Sequence, residues 1–140
     1  MLAISCSEDE YKRLRKPRTS KEKWVAIQIA STEDEAIVLT NTQKRQFEEV
    51  LQLYFTDIKE PILEGEIEYK PFSKEQYLEV LDFYDRNKSY DKLFVQCTMG
   101  IQRSAGIVHG LGVKYGINIQ HGMEGNAPVH PYPNVVEFFY

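Results

Sequence analysis

With 140 residues, the chain is most simply one domain, residues 1–140, large enough for a real core. Its 21 acidic and 17 basic residues give a formal charge of −4, which argues against nucleic acid as the main partner, because phosphate backbones call for clustered basic residues. No apolar stretch approaches membrane-spanning length, Met1–Ile4 lacks the charged and apolar regions of a signal peptide, and two cysteines suit a reducing compartment, so a cytoplasmic protein with no membrane partner is expected.

Leu2–Ser5 reads as a short first strand, followed by a helical turn over Glu8–Leu14. Cys6, between them, reads as a small buried hydrophobe. The basic run Lys12–Arg18 reads as a solvated face and loop rather than a docking patch. Trp24–Ala30 is rich in residues that suit a sheet. Ser31–Glu35 is a polar, acidic turn, and Ile37–Leu39 a short edge segment. Asn41-Thr42 can cap a helix through Val50, and Leu51–Phe55 alternates as a further strand.

That strand runs into Asp57 and an acidic loop, Lys59–Phe72, which reads either as a lid or as a charged surface insert. Ser73-Lys-Glu-Gln76 is a capping box that opens a helix to about Arg86. Tyr77, Val80, Leu81 and Tyr84 share one face of it, as core. Asn87–Asp91 turns the chain into the apolar run Leu93–Val95, which reads as a buried strand. A strand, a helix and a strand in this order predict a parallel pair.

Between that strand and a helix bearing Ile107, Val108, Leu111 and Tyr115 lies the loop Cys97-Thr-Met-Gly100-Ile-Gln-Arg103-Ser104. A tight turn from a buried strand into a helix N-terminus aims several backbone N–H groups at one spot, which makes an anion site. Gly100 gives the loop backbone angles closed to other residues. The helix dipole, the N–H groups and Arg103 would favour a thiolate at Cys97. Arg103 can grip a phosphate bidentately, and Ser104 can hydrogen-bond the sulfur and ease its departure.

The pattern Cys97-x-x-Gly100-x-x-Arg103-Ser104 after an apolar strand resembles the signature loop of the cysteine-dependent protein tyrosine phosphatases, most of all their compact dual-specificity branch. These residue types at these offsets arise by chance in roughly one chain of this size in a thousand. The resemblance implies an α/β fold of the same kind: a central, mostly parallel sheet of about four to five strands flanked by helices. It implies a phosphomonoester hydrolase, a protein tyrosine or dual-specificity phosphatase acting through a phosphocysteine, with no cofactor or metal. Cys97 would be the nucleophile, with Thr98, Met99, Gly100, Ile101, Gln102 and Arg103 holding the phosphoryl group.

The family commonly places its general acid, an Asp, in a loop after a strand, a few tens of residues before the cysteine. Asp57 fits that place, with Glu60, Glu64 and Glu66 as rivals and a turn-forming Asp as the plainer reading. One departure is Gln96, where the family usually has His; its amide can still donate to a backbone carbonyl. The loop interior carries no Lys, unlike family members that act on inositol lipids, so a phosphorylated protein is the favoured substrate. A small phosphorylated metabolite or nucleotide, or a non-catalytic phosphate-binding module, stays open.

Ile117–Pro133, with His121 and His130, reads as an ordered loop near the site or as a flexible connection, and two histidines so far apart are a weak metal signal. Pro133-Asn134 can start a final helix over Val135–Tyr140, and this start resembles the closing segment of small bacterial and phage-type members of the family.

Overall fold

The structure, a computed structural model, describes residues 1–140. The chain runs β1 (Leu2–Cys6), α1 (Glu8–Lys12), β2 (Trp24–Ala30), a 3-10 turn (Glu33–Glu35), α2 (Asn41–Lys44), β3 (Phe47–Tyr54), β4 (Ile62–Glu64), β5 (Ile67–Tyr69), α3 (Lys74–Asn87), β6 (Lys92–Gln96), α4 (Arg103–Tyr115), β7 (Asn118–His121), α5 (Pro133–Val136) and a closing 3-10 turn (Glu137–Phe139). Five strands form one sheet in the order β3-β2-β6-β1-β7. Every neighbouring pair in it is parallel. The expected α/β class with a flanked central sheet is what forms, and the sheet is wholly parallel.

Alternation along the strands divides the core into two layers. Val25, Ile27 and Ile29 of β2, with Leu93 and Val95 of β6, face Val80 and Phe83 of α3 and Ile107, Val108 and Leu111 of α4. Trp24, Ala26 and Phe94 point the other way, where Tyr11, Leu14 and Leu39 cover them. Cys6 packs in this thinner layer and Cys97 in the thicker one, and both thiols are free. Burial pushes the Cys6 thiol far above its ordinary range, with the nearby Glu10 charge adding to it. Cys6 is the small buried residue its sequence context suggests.

Three stretches of the chain depart from expectation. The helix expected from Asn41 to Val50 stops at Lys44, capped by Thr40 and not by Asn41. From Phe47 the chain is strand, paired with β2 from Trp24↔Phe47 onward. Phe47 stacks on Tyr11 at a centroid distance of 5.6 Å and joins the Trp24 and Phe94 rings, a burial that one more helical turn would forfeit. Ile37–Leu39 is not a strand; Leu39 instead plugs the thinner layer.

The second change is β7, found inside the segment read as a loop. Gly116, at φ +66, ends α4 in a left-handed turn that returns the chain beside β1. An exposed edge strand spelled Asn-Ile-Gln-His has little apolar signal to announce it. The third is the Lys59–Phe72 loop, which carries the antiparallel hairpin β4–β5, turned at Gly65 with φ +61. Both strands of this hairpin stand mostly exposed at one end of the sheet.

Candidate active site

β6 lies near the middle of the sheet and delivers Cys97 at its carboxyl end, the side on which ligand sites of parallel sheets gather. Cys97 N–H donates to the Cys6 carbonyl at 3.3 Å, and Glu8 N–H donates to the Thr98 carbonyl at 3.1 Å, so α1 braces one side of the loop. On the other side His130 N–H donates to the Ile101 carbonyl at 2.9 Å and Tyr132 N–H to the Gln102 carbonyl at 3.2 Å. In a planar trans peptide the C=O and the next N–H point in opposite directions. With the Thr98, Ile101 and Gln102 carbonyls drawn outward, the N–H groups of Met99, Gln102 and Arg103 turn away from those braces. None of the three donates to another backbone group. Unpaired amides gathered in a short loop make an anion-binding concavity.

Gly100 is fixed by two separate demands. Its φ is +70, and a Cβ there would lie 2.6 Å from the Ser7 nitrogen and 2.9 Å from the Cys6 carbonyl carbon. Its N–H donates to Cys97 Sγ at 3.2 Å. The Ser104 hydroxyl lies 3.2 Å from the same sulfur and is fully buried. Cys97 is only 3% exposed, yet it lines a cleft of about 230 Å³ with Asp57, Met99, Ile101, Gln102 and Arg103. Met99, 69% exposed, gives the cleft an apolar lip.

Arg103 opens α4 and reaches across to the ends of two other strands. Its Nη1 donates to Ser31 Oγ at 3.1 Å and to the Phe55 carbonyl at 3.0 Å. Asp57 follows Phe55 by two residues. Thr56 N–H donates to the Lys70 carbonyl at 2.8 Å, pinning this turn to the base of the hairpin, and Thr56 Oγ1 is buried without a partner. Tyr132, its hydroxyl accepting from Asn134 Nδ2 at 2.9 Å, is pushed up first by burial, with the Asp57 charge contributing.

Of the residues singled out in the sequence, the fold brings Cys97, Arg103, Asp57 and Ser104 together with the loop backbone. Met99, Ile101 and Gln102 contribute cleft wall and Gly100 an N–H, whereas the Thr98 side chain is exposed and outside the cleft lining. Glu60, Glu64 and Glu66 are exposed and do not line the cleft. Gln96 is buried at the end of β6, and its amide makes no hydrogen bond to a backbone carbonyl. His121 lies in β7, bonded through Nδ1 to Ser5 Oγ at 2.8 Å, while His130 meets the loop only through its backbone.

The sequence did not single out the contacts that Ser31, Phe55 and Tyr132 make with Arg103 and the loop. A signal did exist for Ser31, which is the first residue after a strand beside β6, at the carboxyl edge where such sites form.

The chain matches no protein-family model, and neither the curated proteins nor the solved structures contain a significant match to it. No helix is long and apolar enough to cross a membrane.

Chemically, the arrangement gathers a cysteine sulfur that accepts from a backbone N–H, a guanidinium and a carboxylate around one cleft. Cation and donors suit a tetrahedral oxyanion, and the carboxylate suits proton transfer to or from it.

Proposed function

We propose that the protein is a phosphomonoester hydrolase that works through a phosphocysteine. Cys97 Sγ attacks phosphorus and the P–O ester bond breaks, with Asp57 protonating the departing oxygen. Arg103 and the loop N–H groups hold the charge on the transferring phosphoryl oxygens. Water then attacks phosphorus, Asp57 takes its proton, the S–P bond breaks toward the Ser104 hydroxyl, and inorganic phosphate leaves. The positive field comes from the chain's own guanidinium and amides, so turnover should survive a chelator.

The observation that carries this reading is the pair of 3.2 Å contacts on Cys97 Sγ, from Gly100 N–H and Ser104, inside a cleft shared with Arg103 and Asp57. A structural cysteine calls for none of these partners. The loop pattern's resemblance to the cysteine-dependent phosphatases supports a protein tyrosine or dual-specificity substrate, and the apolar lip at Met99 suits an aryl ring. A cytoplasmic location fits two free cysteines.

A second reading, a module that binds phosphate without turnover, draws on Gln96, whose amide gives the loop no backbone hydrogen bond. One rapid-quench experiment with an aryl phosphate separates them. The enzyme accumulates a phosphocysteine and loses all turnover in Cys97→Ser while still binding phosphate. A wild-type protein that binds phosphate with no covalent intermediate and no product overturns the hydrolase reading.

A further inference from the structure

A guanidinium carries five N–H donors, two on each Nη and one on Nε. In Arg103 the Nη1 end is committed to the protein, with two acceptors, Ser31 Oγ at 3.1 Å and the Phe55 carbonyl at 3.0 Å. That uses both Nη1 hydrogens. The Nε–H and Nη2 hydrogens make no bond to the protein, and they form the parallel edge that can meet two oxygens of one anion. Arg103 is half-buried and lines the cleft above Cys97. Rotation about its terminal bonds would present other edges if nothing held Nη1.

We infer that Ser31 is a positioning residue for Arg103: its hydroxyl fixes Nη1 so that the Nε/Nη2 edge faces the oxyanion. This rests on the hydrolase reading for its effect on turnover. Phe55 supplies the other acceptor from its backbone, which no substitution removes, so Ser31 is the only side chain that sets this orientation. Both acceptors are neutral. A carboxylate in the place of Ser31 would compete with the substrate for the guanidinium, whereas a hydroxyl orients it and leaves its charge undiminished. Ser31 also lines a second cleft of about 250 Å³ with Thr32, Glu33, Tyr54, Glu68 and Lys70, so it stands at the wall between that cleft and the Cys97 cleft. Its side chain reaches Arg103 across 72 positions of sequence, a contact only the tertiary fold creates.

The test measures tungstate binding and steady-state hydrolysis of p-nitrophenyl phosphate in the full-length protein. Ser31→Ala and Ser31→Gly should each weaken tungstate binding and kcat/KM by about tenfold, the scale of one hydrogen bond to a charged group. Ser31→Thr, which keeps a hydroxyl, should restore both. The pH–rate profile should keep its shape, and in an Arg103→Ala background Ser31→Ala should change tungstate affinity no further. Wild-type affinity and turnover in both Ser31→Ala and Ser31→Gly, or equal losses in Ser31→Thr, overturn the inference while leaving the hydrolase reading standing. A wild-type protein that binds tungstate, responds to Ser31→Ala as stated and yet forms no product overturns the hydrolase reading and keeps the positioning role. A wild-type protein that neither binds tungstate nor forms product overturns both.

Discussion

Arg103 Nη1 donates to the Phe55 carbonyl at 3.0 Å, and this bond ties the helix that follows the cysteine to the strand end two residues before Asp57. The two halves of the proposed chemistry, the oxyanion grip and the proton donor, are thereby held to one another by a main-chain acceptor. Moving either segment strains the other.

Asp57→Asn keeps the shape of the turn and removes the proton. Hydrolysis of substrates with poor leaving groups should fall about 10²–10⁴-fold, with a much smaller loss for p-nitrophenyl phosphate, whose leaving group needs little protonation. Unchanged turnover of substrates with poor leaving groups would remove Asp57 from the mechanism and return the question to a group outside the cleft lining.

Ser104→Ala deletes the hydroxyl 3.2 Å from the sulfur and leaves the Gly100 N–H in place. Sulfur departure from phosphorus should slow by about ten- to a hundredfold, the worth of one hydrogen bond to a charged group. Formation of the phosphocysteine should change little. Stopped-flow traces should show a burst of p-nitrophenol and a slow steady state; a uniformly slowed trace with no burst would contradict this role.

Gly100→Ala must place a Cβ 2.6 Å from the Ser7 nitrogen at a φ of +70. The neighbours are backbone and cannot swing aside. A loss of about 1–3 kcal/mol in urea unfolding is expected, together with loss of oxyanion binding, because the loop must move off α1.

The C-terminal segment offers a packing test away from the chemistry. A Cβ on Gly110 would lie 2.3 Å from the Phe139 ring, so helix and ring occupy space made by the missing methyl. Gly110→Ala should cost about 1–3 kcal/mol by overpacking. Phe139→Leu in that background should cost less than it does alone, a coupling that a double-mutant cycle reads directly.

His121 sets a pH dependence of stability. Burial first, and the His109 charge second, hold its imidazole below the ordinary value. As pH falls, the unfolded chain takes up this proton before the folded one does. Stability should therefore be full above the ordinary imidazole value near 6.5 and decline as pH drops through it, levelling off below the lowered folded value. Urea midpoints at pH 7.5 and 5.5 measure the decline, and His121→Asn should reduce it.

The five-residue spacing from Cys97 to Arg103, with Gly100 and Ser104, was legible because a phosphate loop is local: strand end, turn and helix start are contiguous in the chain, and their chemistry is written in residue types. The strand Trp24–Ala30, the capping box at Ser73 and the apolar faces of α3 and α4 were legible for the same reason, since period and capping are short-range properties. What the sequence could not carry were features decided by partners far along the chain. Phe47 is strand because Trp24, Tyr11 and Phe94 are there to bury it, and β7 exists because β1 offers an open edge. Ser31 becomes a ligand of Arg103 because the residue after β2 and the first residue of α4, 72 positions apart in the chain, meet at one rim of the sheet. Residue type and near neighbours set which groups the chain possesses for chemistry. Only the packing of distant segments, through close contacts with no counterpart in local pattern, decided which of those groups face one another.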